Sequence, residues 1–418
     1  MYELNMSLAI FGFAAILIAL LSGLIKRSVV SEPILAMTIG IFAGPYGAGL
    51  LDIAKWGDPM VILEQAARLT LAIGLMGIAL RLDRDSVRLL LRPVSLLLIL
   101  GMLGMWLLSS GIALVFGLPL LSALLLGAIV TPTDPVVASS VVTGKFAQKY
   151  LPLRVRDGLS YESGANDGLA YLFVMLPILA MSHPPAETTQ KWLLDVLVVG
   201  VLLATAIGVL VGFAAAKLLS AADRRGLVAN QSMLGYTVAF SLFTLGAAKL
   251  VHSDALIAVF AAGLTFNLCS DRSEEHEEEN IQEAVSKLFT LPMFVLFGLS
   301  LPFSEWSGIG WPLVILVVAL LLFRRLPVLA ALMPLIGRSF NRADIAFLGW
   351  FGPIGIAAIY YATLAHKHTH DPMFWHITSA VVFASILVHG VSAASFTRLH
   401  RKHAGAAPDR TKPLDSDA

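Results

Sequence analysis

Four residues of one apolar stretch have the types and spacing to hold a proton or a metal cation: Glu162, Ser163, Asn166 and Asp167, in the run Gly158-Leu-Ser-Tyr-Glu-Ser-Gly-Ala-Asn-Asp-Gly168. On a helix they make a single polar stripe, at i, i+1, i+4 and i+5. An Asp at the centre of a membrane helix costs roughly 2.5 to 3.5 kcal/mol, so Asp167 is expected to be a working residue. A carboxyl group taken out of water holds its proton more firmly, so Asp167 is expected to keep one at moderate pH and release it when a cation arrives. Hard monovalent ions prefer oxygen. The candidate metal ligands are the Asp167 carboxylate, the Ser163 hydroxyl and a freed carbonyl near Thr131 to Thr133. The competing reading is a polar cluster that only holds helices together.

Two interrupted helices are expected to position that stripe. Thr131-Pro-Thr-Asp-Pro135 lies within an apolar run, and Pro132 and Pro135 remove the ladder partners of the Ala128 and Thr131 carbonyls. Freed backbone groups are tolerated in lipid only where protein or a polar cavity meets them, which predicts unwinding at mid-depth. Gly349-Trp-Phe-Gly352-Pro353-Ile-Gly355 repeats the device later in the chain. The alternative is a pair of packed, kinked helices. Asp134 sits at the first break, where its charge can neutralise the positive end of a half-helix, ligate the ion directly or face solvent; the static role is preferred. Arg324 and Arg325 interrupt another run after only 13 apolar residues, so at least one is expected within the membrane and in need of an acid. Glu162 is the natural partner of Arg325, leaving Asp167 to titrate alone; without that pair Glu162 becomes a second titrating group.

The chain has 418 residues, 57% of them hydrophobic and 14% charged, with a mean hydropathy of +0.81. That composition describes an all-α polytopic membrane protein. Apolar runs near 20 residues number about 13, at 7–25, 33–52, 64–82, 93–116, 119–143, 158–182, 192–219, 232–251, 254–270, 285–303, 311–336, 343–365 and 374–396. The breaks fall in the fifth and twelfth. That odd offset of seven predicts inverted six-helix repeats, helices 1–6 and 8–13, with helix 7 as connector and the site near the bilayer midplane. Residues 1–402 form the membrane transport domain, and 403–418 read as a short disordered cytoplasmic tail. Of the 29 Lys and Arg, only Lys55, Arg68, Lys191, Lys249 and Lys367 fall on the even-numbered side, and Arg324 and Arg325 lie inside the eleventh run. The basic excess of the other loops predicts an outside N-terminus and a cytoplasmic C-terminus. The first run lacks a basic n-region and a cleavage site, so it reads as a retained helix.

A net charge of +1 and the lack of a basic or aromatic stripe give no case for nucleic acid. The lone Cys269 excludes an internal disulfide framework, and no cofactor motif is present. An intramembrane enzyme is disfavoured: Ser163 has no Gly two residues before it, and no intramembrane His is evidently placed as a base. The acidic run Asp271–Glu279 reads as a solvated loop, although His276 could sense pH there. The alternating His366, His368 and His370 read as loop residues rather than a metal site. His252 and Asp254 read as caps or surface groups.

Thr131-Pro-Thr-Asp-Pro135 followed one helix later by Glu162-Ser-Gly-Ala-Asn-Asp167 resembles the monovalent cation/proton antiporters of the first family, the bacterial sodium/proton exchangers and their animal relatives. Phe297-Gly-Leu299, Ala258-Val-Phe-Ala-Ala-Gly263 and Arg325-Leu-Pro-Val328 also resemble segments of that family, whereas the tail from about 403 matches nothing. The resemblance implies Asp167 as the shared proton and cation ligand, Thr133 and Ser163 beside it, and a buried pair of Glu162 with Arg325, Arg324 being the adjacent candidate. Asn166 stands where electrogenic relatives have a second Asp, which implies electroneutral one-for-one exchange. It further implies a homodimer, and a role in pH homeostasis. One departure is Gly352-Pro-Ile-Gly355, where many members have Gly-Pro-Arg-Gly; it bears on which ion is preferred. The expectation is an alternating-access antiporter of the inner membrane, exchanging Na+, Li+ or K+ for H+. A cation- or proton-coupled symporter of an organic solute is the alternative.

Overall fold

The structure is a computed structural model and describes residues 2–25, 30–142, 144–227, 233–270 and 275–404. Two segments read from the sequence lie outside them: the side chains of the acidic run 271–279, and the tail from 405 onward. Among the described residues the regular elements are helices, and each apolar run coincides with a helix, a bent pair or a helix interrupted partway. Seven described helices are long and apolar enough to cross a membrane, and Val285–Leu299 with Phe303–Ile309, bent by 56°, makes an eighth if counted as one. The chain is an all-α polytopic membrane protein.

Peripheral and central helices differ as a lipid solvent requires. Tyr2–Ile25 turns Leu4, Leu8, Phe13, Ile16, Leu20 and Leu24 outward, a surface that is at home among acyl chains. Ile356–Thr369, by contrast, is buried without interruption from Ile356 to Ala365. Aspartates start several helices by accepting backbone N–H groups that lack an intrahelical partner. Asp58 accepts from Met60 N at 2.8 Å, Asp83 from Ser86 N at 2.7 Å, and Asp254 from Ile257 N at 2.9 Å.

Besides that bent pair, three described helices are interrupted, one more than the proline patterns predict. Leu120–Ile129 and Pro135–Val142 flank residues 130–134, and Arg342–Trp350 and Ile356–Thr369 flank residues 351–355. The third interruption separates Trp311–Phe323 from Leu326–Ile336 at Arg324 and Arg325. Pro327 accounts for it: lacking an N–H, it cannot bond the Phe323 carbonyl and its ring crowds that group. The 30-residue helix Leu153–Ser182 runs uninterrupted beside them and buries Glu162, Ser163, Asn166 and Asp167. It lies tightly on Ala255–Cys269: a Cβ on Gly168 would stand 2.5 Å from Ile257 Cγ1.

Candidate functional site

The two unwound segments meet each other, and one aspartate serves both. Asp134 N donates to the Pro353 carbonyl at 2.7 Å. The Asp134 carboxylate accepts from Val137 N at 3.0 Å through Oδ1 and from Ile356 N through Oδ2. Those two N–H groups open the half-helices Pro135–Val142 and Ile356–Thr369, so one anion lies at the positive ends of both. Gly355 makes room for it, because a Cβ there would fall 2.1 Å from Asp134 Oδ2.

Arg324 does the converse at the negative ends. Its Nη1 donates to the carbonyls of Val130, Thr131 and Pro132, the latter two at 2.9 and 3.0 Å, and its Nη2 donates to the Gly352 carbonyl. The carbonyl expected to be free at Thr131 is therefore held by a guanidinium. The Ala128 carbonyl accepts from Thr131 N at 3.2 Å in a tightened last turn. Gly352 matters for the same reason as Gly355: a Cβ would sit 2.2 Å from Arg325 Cδ and 3.1 Å from Arg324 Nη2.

Arg325 turns to the carboxylate helix. Nη1 and Nη2 grip Glu162 Oε1 and Oε2, each at 2.9 Å, in the fork geometry that suits a planar guanidinium. Nη1 also donates to Thr133 Oγ1 at 2.8 Å, and Nε to the Leu348 carbonyl at 2.8 Å. Asn166 completes this network: Nδ2 donates to Glu162 Oε1 at 2.8 Å, and Oδ1 accepts from Thr133 N at 3.2 Å. Glu162, Arg325, Asn166 and Thr133 thus form one closed polar unit joining the helix Leu153–Ser182 to the first break.

Asp167 stands apart from that unit. Its side chain is fully buried, and neither Oδ1 nor Oδ2 has a hydrogen-bond partner among the described residues. Only its backbone is engaged, the carbonyl accepting from Tyr361 Oη at 2.5 Å. An unpartnered buried carboxylate is unstable as an anion, so it needs a proton or a cation. Among the described residues two guanidiniums and three carboxylates are buried around the breaks: Arg324 and Arg325 against Asp134, Glu162 and Asp167. The excess is one negative charge, and it falls on the acid that has no partner. Ser163, one turn before Asp167, donates to the Ser160 carbonyl at 3.3 Å, and Thr131 Oγ1 to the Gly127 carbonyl at 2.7 Å. Both hydroxyls keep lone pairs for another contact.

Tyr361, and the backbone partners of Arg324, lie outside what the sequence motifs mark. A tyrosine in an apolar run must find an acceptor, so Tyr361 was open to notice. The partner of Arg324 was not, because no sequence pattern tells which unwound carbonyls will converge.

Comparison with known proteins agrees with this architecture. The family described as "Sodium/hydrogen exchanger, transmembrane" matches residues 13–399. A probable Na(+)/H(+) antiporter of Schizosaccharomyces pombe is 30% identical over 424 residues, covering 94% of this chain and 56% of that protein. The Na(+)/H(+) antiporter of Saccharomyces cerevisiae is 29% identical, covering 94% and 43%. The K(+)/H(+) antiporter NhaP2 of Shewanella oneidensis is 25% identical, covering 91% and 64%. The chain thus spans about half the length of the first fungal relatives it matches. Among solved structures, the sodium proton antiporter MjNhaP1 from Methanocaldococcus jannaschii at pH 8 superimposes with a TM-score of 0.74 at 19% identity, over 96% of this chain and 99% of that one, which speaks for the fold. By the match across nearly its whole length, the chain belongs to the sodium/hydrogen exchanger family.

Proposed function

We propose that this protein is a secondary active antiporter that exchanges one monovalent cation for one proton by alternating access, with Asp167 as the shared carrier. The observation that carries the reading is the buried Asp167 carboxylate with both oxygens unpartnered, beside a second acid that is fully paired. A proton or an alkali cation neutralises the excess charge equally well, the two exclude each other, and only the neutral site changes facing at low cost. One site carrying one charge makes the exchange electroneutral. Ser163 and Thr133 are the candidate hydroxyl ligands, Thr133 through the lone pair that Arg325 does not take, with Asn166 holding the first break in register and Asp134 serving as its helix-end anchor. The relatives' names include both Na+ and K+ exchange, so Na+, Li+ and K+ are all candidate substrates.

The remaining features belong to the same proposal. Thirteen crossings would arrange as inverted repeats, helices 1–6 and 8–13 about helix 7, within residues 1–402. The N-terminus would face outward and the C-terminal tail the cytoplasm, in the inner or plasma membrane, with the protein acting as a homodimer in pH homeostasis.

The test is proton movement in proteoliposomes on addition of Na+, Li+ or K+ in turn, with and without a clamped voltage. Competition for one carboxylate predicts that the half-saturating cation concentration rises as pH falls, approaching about tenfold per unit, while the maximal rate is regained at high cation. A maximal rate that falls with pH while half-saturation stays constant would contradict a shared site.

A further inference from the structure

The helix Met373–Ala404 passes behind the second break and turns Ser385 and His389 toward it, both buried. Ile354 N donates to Ser385 Oγ at 2.7 Å, Ser385 Oγ lies 3.1 Å from His389 Nδ1, and His389 Nε2 lies 3.1 Å from the Trp350 carbonyl. Trp350 ends one half-helix and Ile354 lies two residues before the next. The three contacts therefore bridge the interruption from one side to the other.

Valence places the hydrogens. An N–H can only donate, so Ser385 Oγ accepts from Ile354 and directs its own hydrogen to Nδ1; a carbonyl can only accept, so Nε2 carries the ring hydrogen. The neutral imidazole protonated on Nε2 satisfies the three bridging contacts and leaves only the approach of Nδ1 to the Ser385 carbonyl unserved. Protonation on Nδ1 alone would serve the Ser385 carbonyl, 2.9 Å away in the same helix, and would set the Nε2 lone pair against the Trp350 carbonyl. A doubly protonated ring would place a third buried positive charge near Arg324 and Arg325 and deprive the Ser385 hydroxyl of its acceptor.

We infer that His389 is a positioning residue for exchange: with Ser385 it forms a clasp from Trp350 to Ile354 that aims Pro353 O and Ile356 N at Asp134. It acts through the break and does not touch the cation. The inference rests on the exchange reading for its functional consequence, and on hydrogen-bond geometry alone for the clasp itself.

Transport by Ser385→Ala, His389→Ala, the double variant and His389→Gln, each in proteoliposomes, tests it. Each Ala variant should lower the maximal rate about tenfold, the worth of one buried hydrogen bond, with cation half-saturation within about twofold of wild type. Because the two residues act as one relay, the double variant should be no slower than the slower single. His389→Gln keeps a donor for Trp350 and an acceptor for Ser385 and should return to within about threefold of wild type. A His389→Ala rate equal to wild type, or losses that multiply in the double, would overturn the clasp. Should His389→Ala not fold, amide hydrogen exchange over the peptide containing Ile354 decides, in Ser385→Ala, which lacks only a hydroxyl: faster exchange than wild type supports the clasp and equal exchange refutes it. If the wild type itself moves no protons, the exchange reading fails while the amide comparison still judges the clasp.

Discussion

Glu162 and Asp167 lie five residues apart on one helix, are equally buried and carry the same functional group, yet their surroundings are opposite. Glu162 receives both forks of Arg325 and the Asn166 amide. Among the described residues the Asp167 carboxylate receives nothing. Burial therefore does not distinguish the two acids; the distribution of donors does. A buried pair is held in place by the cost of separating it, whereas a lone carboxylate stays free to trade one positive partner for another.

The sharpest way to break the contrast is to remove the unpaired acid. Asp167→Asn should reduce cation-driven proton release by at least about 100-fold in vesicles, as expected when an essential group is lost, while folding as well as wild type because no ion pair is disturbed. Substituting the paired acid should do the reverse. Glu162→Gln strands the Arg325 charge, so detergent-solubilised protein should lose about 3 to 5 kcal/mol of stability, seen as a lowered Tm and poor yield. If Glu162→Gln instead folded normally and altered only the cation or pH dependence, the two acids would share the titration. Gly355→Ala presses a methyl group onto Asp134 without touching either acid. It should cost about 1 to 3 kcal/mol and slow exchange by separating the breaks, with half-saturation little changed. The smallest effect is expected from Tyr361→Phe, which removes one hydrogen bond to the Asp167 backbone, about 1 kcal/mol. Its readout is a modest shift in cation half-saturation.

Much of this arrangement is legible in the chain because membrane physics makes a few residues conspicuous. Paired prolines in an apolar run announce the first break, the Gly-Pro-Ile-Gly run the second, and a charged stripe at helical spacing announces the face that meets them. The grouping of Glu162 with Arg325 follows from the cost of an isolated buried charge. The third interruption escapes such a reading because Pro327, next to two arginines, looks like the start of a helix as much as the end of one. The part played by Arg324 escapes it too: its partners are backbone carbonyls from two distant segments, and every residue type offers the same carbonyl. Ser385 and His389 are silent for a related reason, since a serine and a histidine one turn apart declare nothing until the strand of backbone they serve is in place.

Asp134 fastens the first turns of two half-helices that are more than 200 residues apart in sequence. Neither start can shift by an ångström without leaving its shared anchor, so the two fragments behave as a single rivet through the middle of the protein. Under the proposed alternating access, opening Asp167 first to one compartment and then to the other carries that rivet whole.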